Sequence, residues 1–213
     1  MGNLSESYTK LTMLAEKYGT DKLTHGYIDA YADYLPKQCR SLLEIGIAEG
    51  KSAEMWSEYY GQDTLDLHYL DLFLNPDFVS PRWCRNRGIV PHIGSQSDIK
   101  ALSSIKNNFE VIIDDGSHNA QDMLISFKAL FLNNMSSNGV YVVEDLHCCK
   151  DSFYWGGLIL GYFDTILHML EVYKEVGFIT NPYFNEGESE VFSSLIGRIE
   201  ISEDEKIAFI WRK

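Results

Sequence analysis

Apolar residues along this chain gather into short runs separated by longer amphipathic stretches. Residues 41–47 (SLLEIGI) are almost wholly apolar. Further runs lie at 65–73 (LDLHYLDLF), 90–93, 110–114 (EVIID) and 139–144 (GVYVVE). Between them, 51–60 and 120–132 carry apolar positions at helical spacing. Short, nearly continuous apolar strands alternating with helices predict a parallel sheet covered on both faces. The expected fold class is α/β, a doubly wound, Rossmann-like, mostly parallel sheet.

The two ends break this alternation. Residues 5–35 read as helical, with Tyr8, Leu11, Leu14, Ala15 and Tyr18 on one face and a break at Gly19. They predict an N-terminal helical cap. An aromatic, glycine-containing loop at 153–157 precedes a helix expected over 158–176. Residues 195–202 and 206–211 read as two strands around Glu203, Asp204 and Glu205, a C-terminal antiparallel hairpin that places one antiparallel strand at the sheet edge. No repeat or low-complexity linker divides the chain. Residues 1–213 are therefore expected to form one domain, with 1–38 as the cap and 39–213 as the core.

Composition narrows the picture without changing it. A 213-residue chain with 45% hydrophobic and 23% charged residues is ordinary globular material. The formal charge of −13 opposes binding to phosphate backbones, so no nucleic-acid partner is expected. Cys39, Cys84, Cys148 and Cys149 form no CxxC pair, and reduced, mostly buried thiols are the plain reading. The first ten residues hold no apolar signal region. The apolar stretch 153–170 contains glycines, Asp164 and His168 and lacks basic flanks, which favours a buried or interface helix over a membrane span. A cytoplasmic protein off the membrane is expected, and a homo-oligomer stays open.

In open α/β sheets, ligands bind at the carboxyl ends of the strands. The first strand ends Glu44-Ile45-Gly46-Ile47-Ala48-Glu49-Gly50, which is not GxGxxG. Its glycines let a ligand lie against the turn, and Glu44 and Glu49 favour a cationic ligand over a pyrophosphate. The second strand ends at Asp71, suited to accept hydrogen bonds from ribose hydroxyls. Gln96 or Asp98, after the third strand, could meet an adenine edge, and Asp98 equally suits a helix cap. The fourth and fifth strands end Asp114-Asp115-Gly116-Ser117-His118 and Glu144-Asp145-Leu146-His147. As sheet neighbours they bring four carboxylates and two imidazoles together. Such acids repel unless protonated or bound to a cation, and a hard divalent ion such as Mg²⁺ fits. His118 suits a general base, with His147 as the runner-up. His25, in the cap, is placed to close over the site.

LEIGIAEGKS, the strand ending at Asp71, SQSD, IIDDGSH and VVEDL occur in an order and spacing that resemble class I S-adenosylmethionine-dependent methyltransferases. More narrowly, the chain is similar to the metal-dependent sugar O-methyltransferases of macrolide and related natural-product biosynthesis. The resemblance spans roughly residues 16–145, and KYGTDKLTHGY resembles that group's cap over the cofactor. Ser95 departs from it, since the group often has Asp there. The resemblance implies a methyl donor, S-adenosylmethionine, and a sugar or small-molecule hydroxyl as acceptor. It implies Asp115, Glu144 and Asp145 as metal ligands, with Asp114 nearer the cofactor or serving as the alternative ligand. Two other readings are a nicotinamide-dependent oxidoreductase, weakened by the missing GxGxxG, and a non-catalytic cofactor-binding protein, which would have no need of crowded carboxylates.

Overall fold

The computed structural model describes residues 5–149 and 165–213. Seven strands form one sheet in the order β3-β2-β1-β4-β5-β7-β6. The parallel set is β1 (Ser41–Ile45), β2 (Asp66–Asp71), β3 (Ile89–Ile93), β4 (Phe109–Asp114) and β5 (Met135–Val143). Each lies within a few residues of its expected run. The chain reverses direction in the sheet between β1 and β4, and this switch point opens a crevice at the strand ends.

Alternation along the strands explains why both faces are covered. In β1, Leu43 and Ile45 pack into one core with Ile112 of β4 and Tyr141 and Val143 of β5. Leu42 packs into the other with Val111, Ile113, Val140 and Val142. The first core is closed by α5 (Ile99–Ser104), α6 (Ala120–Asn133), α7 (Ile166–Val176) and α8 (Glu186–Leu195). The second is closed by α1 (Glu6–Tyr18), α2 (Ile28–Tyr34), α3 (Lys51–Tyr60) and α4 (Pro81–Arg87). The cap helices are therefore part of a core. Leu11, Leu14 and Tyr31 are buried against the same sheet face as Trp56.

Local chemistry sets the helix ends. Ser5 caps α1 through its side chain, and Gly19 ends it in the left-handed conformation, at the expected break. Two short helices, α4 and α8, were not anticipated, and α5 follows the Asp98 cap that the sequence offered. α4 starts on Ser80 followed by Pro81, α5 starts on Asp98, and α8 starts on a capping box of Asn185 and Glu188. Their few apolar positions leave little period to read.

The hairpin expectation needs one correction. β7 (Ala208–Arg212) runs antiparallel but lies inside the sheet, between β5 and β6 (Ile196–Ile201). The edge strand is β6, which runs with the parallel set. Hydrophobicity decides this: Ala208, Phe209 and Ile210 are all buried, whereas β6 exposes Gly197 and Arg198. The expected aromatic loop at 153–157, and the expected helix as far as residue 164, lie outside the described residues. From Ile166 onward the helix is present as α7. Among the described residues no helix is long and apolar enough to cross a membrane. None of the four cysteines is in a disulfide.

Phe209 ties the inserted strand to the cap, its ring meeting Tyr31, Tyr34 and Trp211 at centroid separations of 5.8, 5.2 and 6.0 Å. Truncating so well buried an aromatic ring removes its transfer energy and leaves a cavity. Phe209→Ala is expected to cost about 3–5 kcal/mol in unfolding by denaturant. A loss below about 1 kcal/mol would mean that β7 is not part of the cooperative core.

Candidate functional site

A cleft of about 770 Å³ opens at the carboxyl ends of the central strands, in the range of small-molecule sites. Its walls come from the loop after α1, the turn after β1, the end of β2, and the loops after β3 and β4. The backbone here is unusual. Ala48, His118 and Asp145, each just past a strand, have φ of 43°, 55° and 53°. Left-handed conformations are uncommon for residues with a side chain and mark sites the surrounding structure over-determines.

The turn after β1 approaches the loop after β4 so closely that it needs a glycine. A Cβ on Gly46 (φ 90°) would lie 2.1 Å from the Asp115 carbonyl oxygen. Ile47, next in the chain, donates its backbone N–H to Asp71 Oδ2 at 2.9 Å. Asp71 is thus fixed at the cleft with a second carboxylate oxygen to offer. Glu49 also lines the cleft and pairs with Lys51 at 2.7 Å. Beyond Asp71 the rim is apolar: Leu72 and Phe73 are 62% and 66% exposed, and Phe78 joins them.

Four of the expected cofactor residues do not line this cleft. Gly50 is the left-handed residue that starts α3, packed against Trp83 and Val79. Asp98 is exposed and caps α5, accepting from the Lys100 N–H at 2.8 Å. Glu44 and Asp114 lie within strands, and strand alternation turns each into a core. Glu44 shares the face of Leu42, beneath the cap helices. Asp114 shares the face of Ile112, beneath α6. There it accepts from Gln96 Nε2 at 3.0 Å, Ser126 Oγ at 2.5 Å and the Tyr141 hydroxyl at 3.1 Å. Burial raises its pKa to about 6, and these three donors oppose the rise. Gln96 does line the cleft. Its amide is already engaged, since its Oε1 accepts the Ser117 N–H at 2.6 Å while its nitrogen serves Asp114. Gln96 therefore braces the loop that carries His118.

The acidic end divides into two overlapping groups. Asp115, His118 and Asp145 offer atoms within 4.8 Å of one another, and so do Glu44, Asp115 and Glu144. Two carboxylates and an imidazole partly open to solvent are a donor set that suits a divalent cation. The second group is buried apart from Asp115, and the Lys22 ammonium lies within it, 3.0 Å from Glu44, 2.9 Å from Asp115 and 2.6 Å from Glu144. Burial pulls this lysine toward its neutral form, but the attraction of Asp115, Glu144 and Glu44 outweighs it and holds its pKa well above the ordinary value. Glu144, expected as a metal ligand, has the same parity as Val142 and so points under the cap. Its Oε1 accepts from Lys22 and from the Tyr31 hydroxyl. Burial and then the neighbouring Asp115 charge push its pKa well up, with Lys22 opposing them.

Asp145 lies just past β5. It accepts the Tyr27 hydroxyl at 2.7 Å, and its Oδ2 is 3.4 Å from His118 Nδ1. His147 is more exposed, with Nδ1 3.7 Å from Asp145 Oδ1. His25 packs edge-on against Tyr27 and does not line the cleft. Sequence reasoning missed Lys22, Tyr27 and Tyr31, although the first two lie in the KYGTDKLTHGY stretch. The available signal was a surplus of acids at the strand ends, four carboxylates against the two positive charges of the one divalent ion assigned to them.

No protein-family model matches the chain. It is 31% identical over 169 residues to the mycinamicin VI 2''-O-methyltransferase of Micromonospora griseorubida, across 69% of this chain and 37% of that one. It is 28% identical over 163 residues to the demethylmacrocin O-methyltransferase of Streptomyces fradiae, across 69% and 38%. The chain thus spans well under half the length of these curated relatives. Among solved structures, the MycE methyltransferase of the mycinamycin pathway, in complex with Mg and SAH, superposes with a TM-score of 0.70 at 24% identity, covering 95% of this chain and 53% of that one. The chain has a methyltransferase fold, and the relatives it matches are O-methyltransferases, as its motifs suggested.

The raised Asp114 pKa has a consequence for stability. A carboxyl titrating at about 6 when folded and near 3.8 when unfolded is protonated longer in the folded state. Its contribution is complete below pH 3.8 and is lost as pH rises through about 6. Asp114→Asn should therefore flatten the pH dependence of unfolding free energy between those values, by up to about 3 kcal/mol relative to the wild type. Parallel wild-type and variant curves over that window would contradict the assignment.

Proposed function

We propose that the chain binds S-adenosylmethionine in the cleft and transfers its methyl group to a hydroxyl of a sugar or other small-molecule acceptor, with a divalent cation, Mg²⁺ or a similar ion, at the acidic end. One observation carries this reading: the same cleft joins a ribose-type carboxylate, Asp71, to an open acid–imidazole group, across glycine turns that admit a ligand against the backbone. In this reading residues 1–38 cap the 39–213 unit, and the O-methyltransferase relatives support the reaction class.

The donor fits the cleft in three places. Asp71 accepts from the ribose hydroxyls with the oxygen that Ile47 does not use. The adenine lies against the apolar rim of Leu72, Phe73 and Phe78. Glu49 supplies negative charge toward the cationic sulfonium and amino end. A nicotinamide dinucleotide would instead bring its pyrophosphate against that carboxylate.

Methyl transfer forms a bond from the acceptor oxygen to the methyl carbon while the carbon–sulfur bond breaks, and its electron pair stays on sulfur. The chain then has to hold the two partners in line and remove one proton. Asp115 and Asp145 would hold the cation, which when bound draws on the acceptor oxygen and lowers its pKa. His118 takes the proton. Its Nδ1 side faces Asp145, which leaves Nε2 for the acceptor, and Tyr27 keeps Asp145 in place.

Two measurements test this. Asp71→Ala leaves ribose hydroxyls unpaired and should weaken S-adenosylhomocysteine binding in calorimetry by about 1–3 kcal/mol. NAD, titrated into the wild type beside it, should bind far more weakly, and the opposite order would favour the oxidoreductase. His118→Ala should lower methyl transfer by about 10²–10⁴-fold while leaving S-adenosylhomocysteine affinity nearly unchanged. Near-wild-type turnover in that variant would remove His118 as the base.

A further inference from the structure

Three carboxylates of the acidic end share a single lysine, and the sharing is geometrically close. Lys22 Nζ has oxygen neighbours at 2.6, 2.9 and 3.0 Å, from Glu144, Asp115 and Glu44. The lysine is fully buried, at 0% exposure. A lysine stem ordinarily carries its ammonium out to water. This one leaves the loop after α1 and runs inward, beneath the strand ends of β1, β4 and β5. Three oxygens converging on one positive charge, from the ends of three neighbouring strands, are the environment a hard metal ion takes in other proteins. Among the described residues the charges also do not close. Three carboxylates less one ammonium leave two formal negative charges, and Asp145 adds a third beside them.

We propose that Lys22 is a resident cation beneath this cleft. Its ammonium fills the Glu44–Asp115–Glu144 group, so a divalent ion is left the face formed by Asp115 and Asp145 beside His118, with Asp115 shared between the two positive charges. Lys22 is then a positioning residue. It holds Asp115 by one oxygen, removes Glu144 from competition for the ion, and keeps the added cation at the solvent-open side of the group. The assignment deepens the metal-assisted reading but does not need it, because the lysine's place among the acids is independent of any reaction.

The test exploits what a divalent ion can do where the lysine has been removed. Metal-free wild type and Lys22→Ala are titrated with Mn²⁺, with free Mn²⁺ read by electron paramagnetic resonance and folding by melting temperature. Lys22→Ala should take up one more Mn²⁺ than the wild type, and Mn²⁺ should raise its melting temperature by more. Adding Glu144→Gln to Lys22→Ala removes one ligand and should weaken that additional site by about 10-fold or more. A lysine that merely packs would cost stability on removal with no selective recovery in Mn²⁺. An unchanged Mn²⁺ stoichiometry in Lys22→Ala, with no stabilisation beyond the wild type's, would overturn the proposal.

If Lys22→Ala does not fold without metal, refolding with and without Mn²⁺ decides instead, and recovery in Mn²⁺ alone supports the assignment. If it folds in neither, Lys22→Ala/Glu44→Gln carries one buried charge fewer and takes its place. No additional Mn²⁺ bound by that double variant overturns the proposal. The metal-assisted reading is separable from this one. Asp145→Asn should abolish the wild-type Mn²⁺ site while leaving the additional site of Lys22→Ala/Asp145→Asn intact. A wild type that binds no Mn²⁺ beside a Lys22→Ala variant that does would end metal assistance and leave Lys22 assigned.

Discussion

Negative charge at the ends of the central strands is the constraint around which this structure is arranged. Removing a carboxylate from water costs several kcal/mol even after relaxation, and one buried without a partner is costlier still. Glu44 and Glu144 are both buried at strand ends, with Asp115 beside them. Their partners come from one stretch of chain: Lys22 serves all three acids, Tyr31 serves Glu144, and Tyr27 serves Asp145. The N-terminal segment is therefore the counter-charge of the sheet as well as its cover. This is why Tyr27 and Tyr31 are among the most buried residues of the molecule, although they follow a loop.

Strand alternation sorts the acids into different tasks. Glu44 has the parity of Leu42, and Glu144 that of Val142, so both turn under the cap. Asp114 has the parity of Ile112 and turns the other way, into a hydroxyl and amide network with Ser126, Tyr141 and Gln96. Asp71 at the end of β2, and Asp115 and Asp145 just past β4 and β5, escape this rule. They are the carboxylates left to meet a ligand or to frame the cation face. The division was legible in the sequence once the strands were placed, because period-two burial needs only the registers of LLEI, IID and VVE. Treating every acid near a strand end as part of the cleft passed over it.

Most of the sheet could be read directly, because its strands are buried on both faces and stand out as apolar runs. The position of β7 was also written in the chain. AFI is continuously apolar, as suits an interior strand, while IGRIEI is interrupted by Gly197, Arg198 and Glu200 and suits an edge. The short helices α4, α5 and α8 were harder, since their caps are clear but their bodies carry few apolar positions. Lys22 was hardest. A lysine in a polar loop is usually solvated, and only the three-dimensional convergence of β1, β4 and β5 makes it a core residue.

The same ties limit how the cleft can open. A cap that lifted away would strand Glu44 and Glu144 without Lys22, and separating a buried pair costs about 3–5 kcal/mol. By itself that holds the lifted state below about one molecule in a hundred. Residues 20–31 are thus unsuited to the lid role that the position of His25 suggested, and His25 indeed rests on Tyr27 away from the cleft. Entry belongs to the opposite rim. There Leu72 and Phe73 are exposed and belong to neither core, and no buried charge has to be broken. An acidic floor locked from the cap side, facing an apolar rim, admits ligand from one direction. In the proposed reading a flat apolar group would rest at the rim and a polar end would meet the cation held by Asp115 and Asp145.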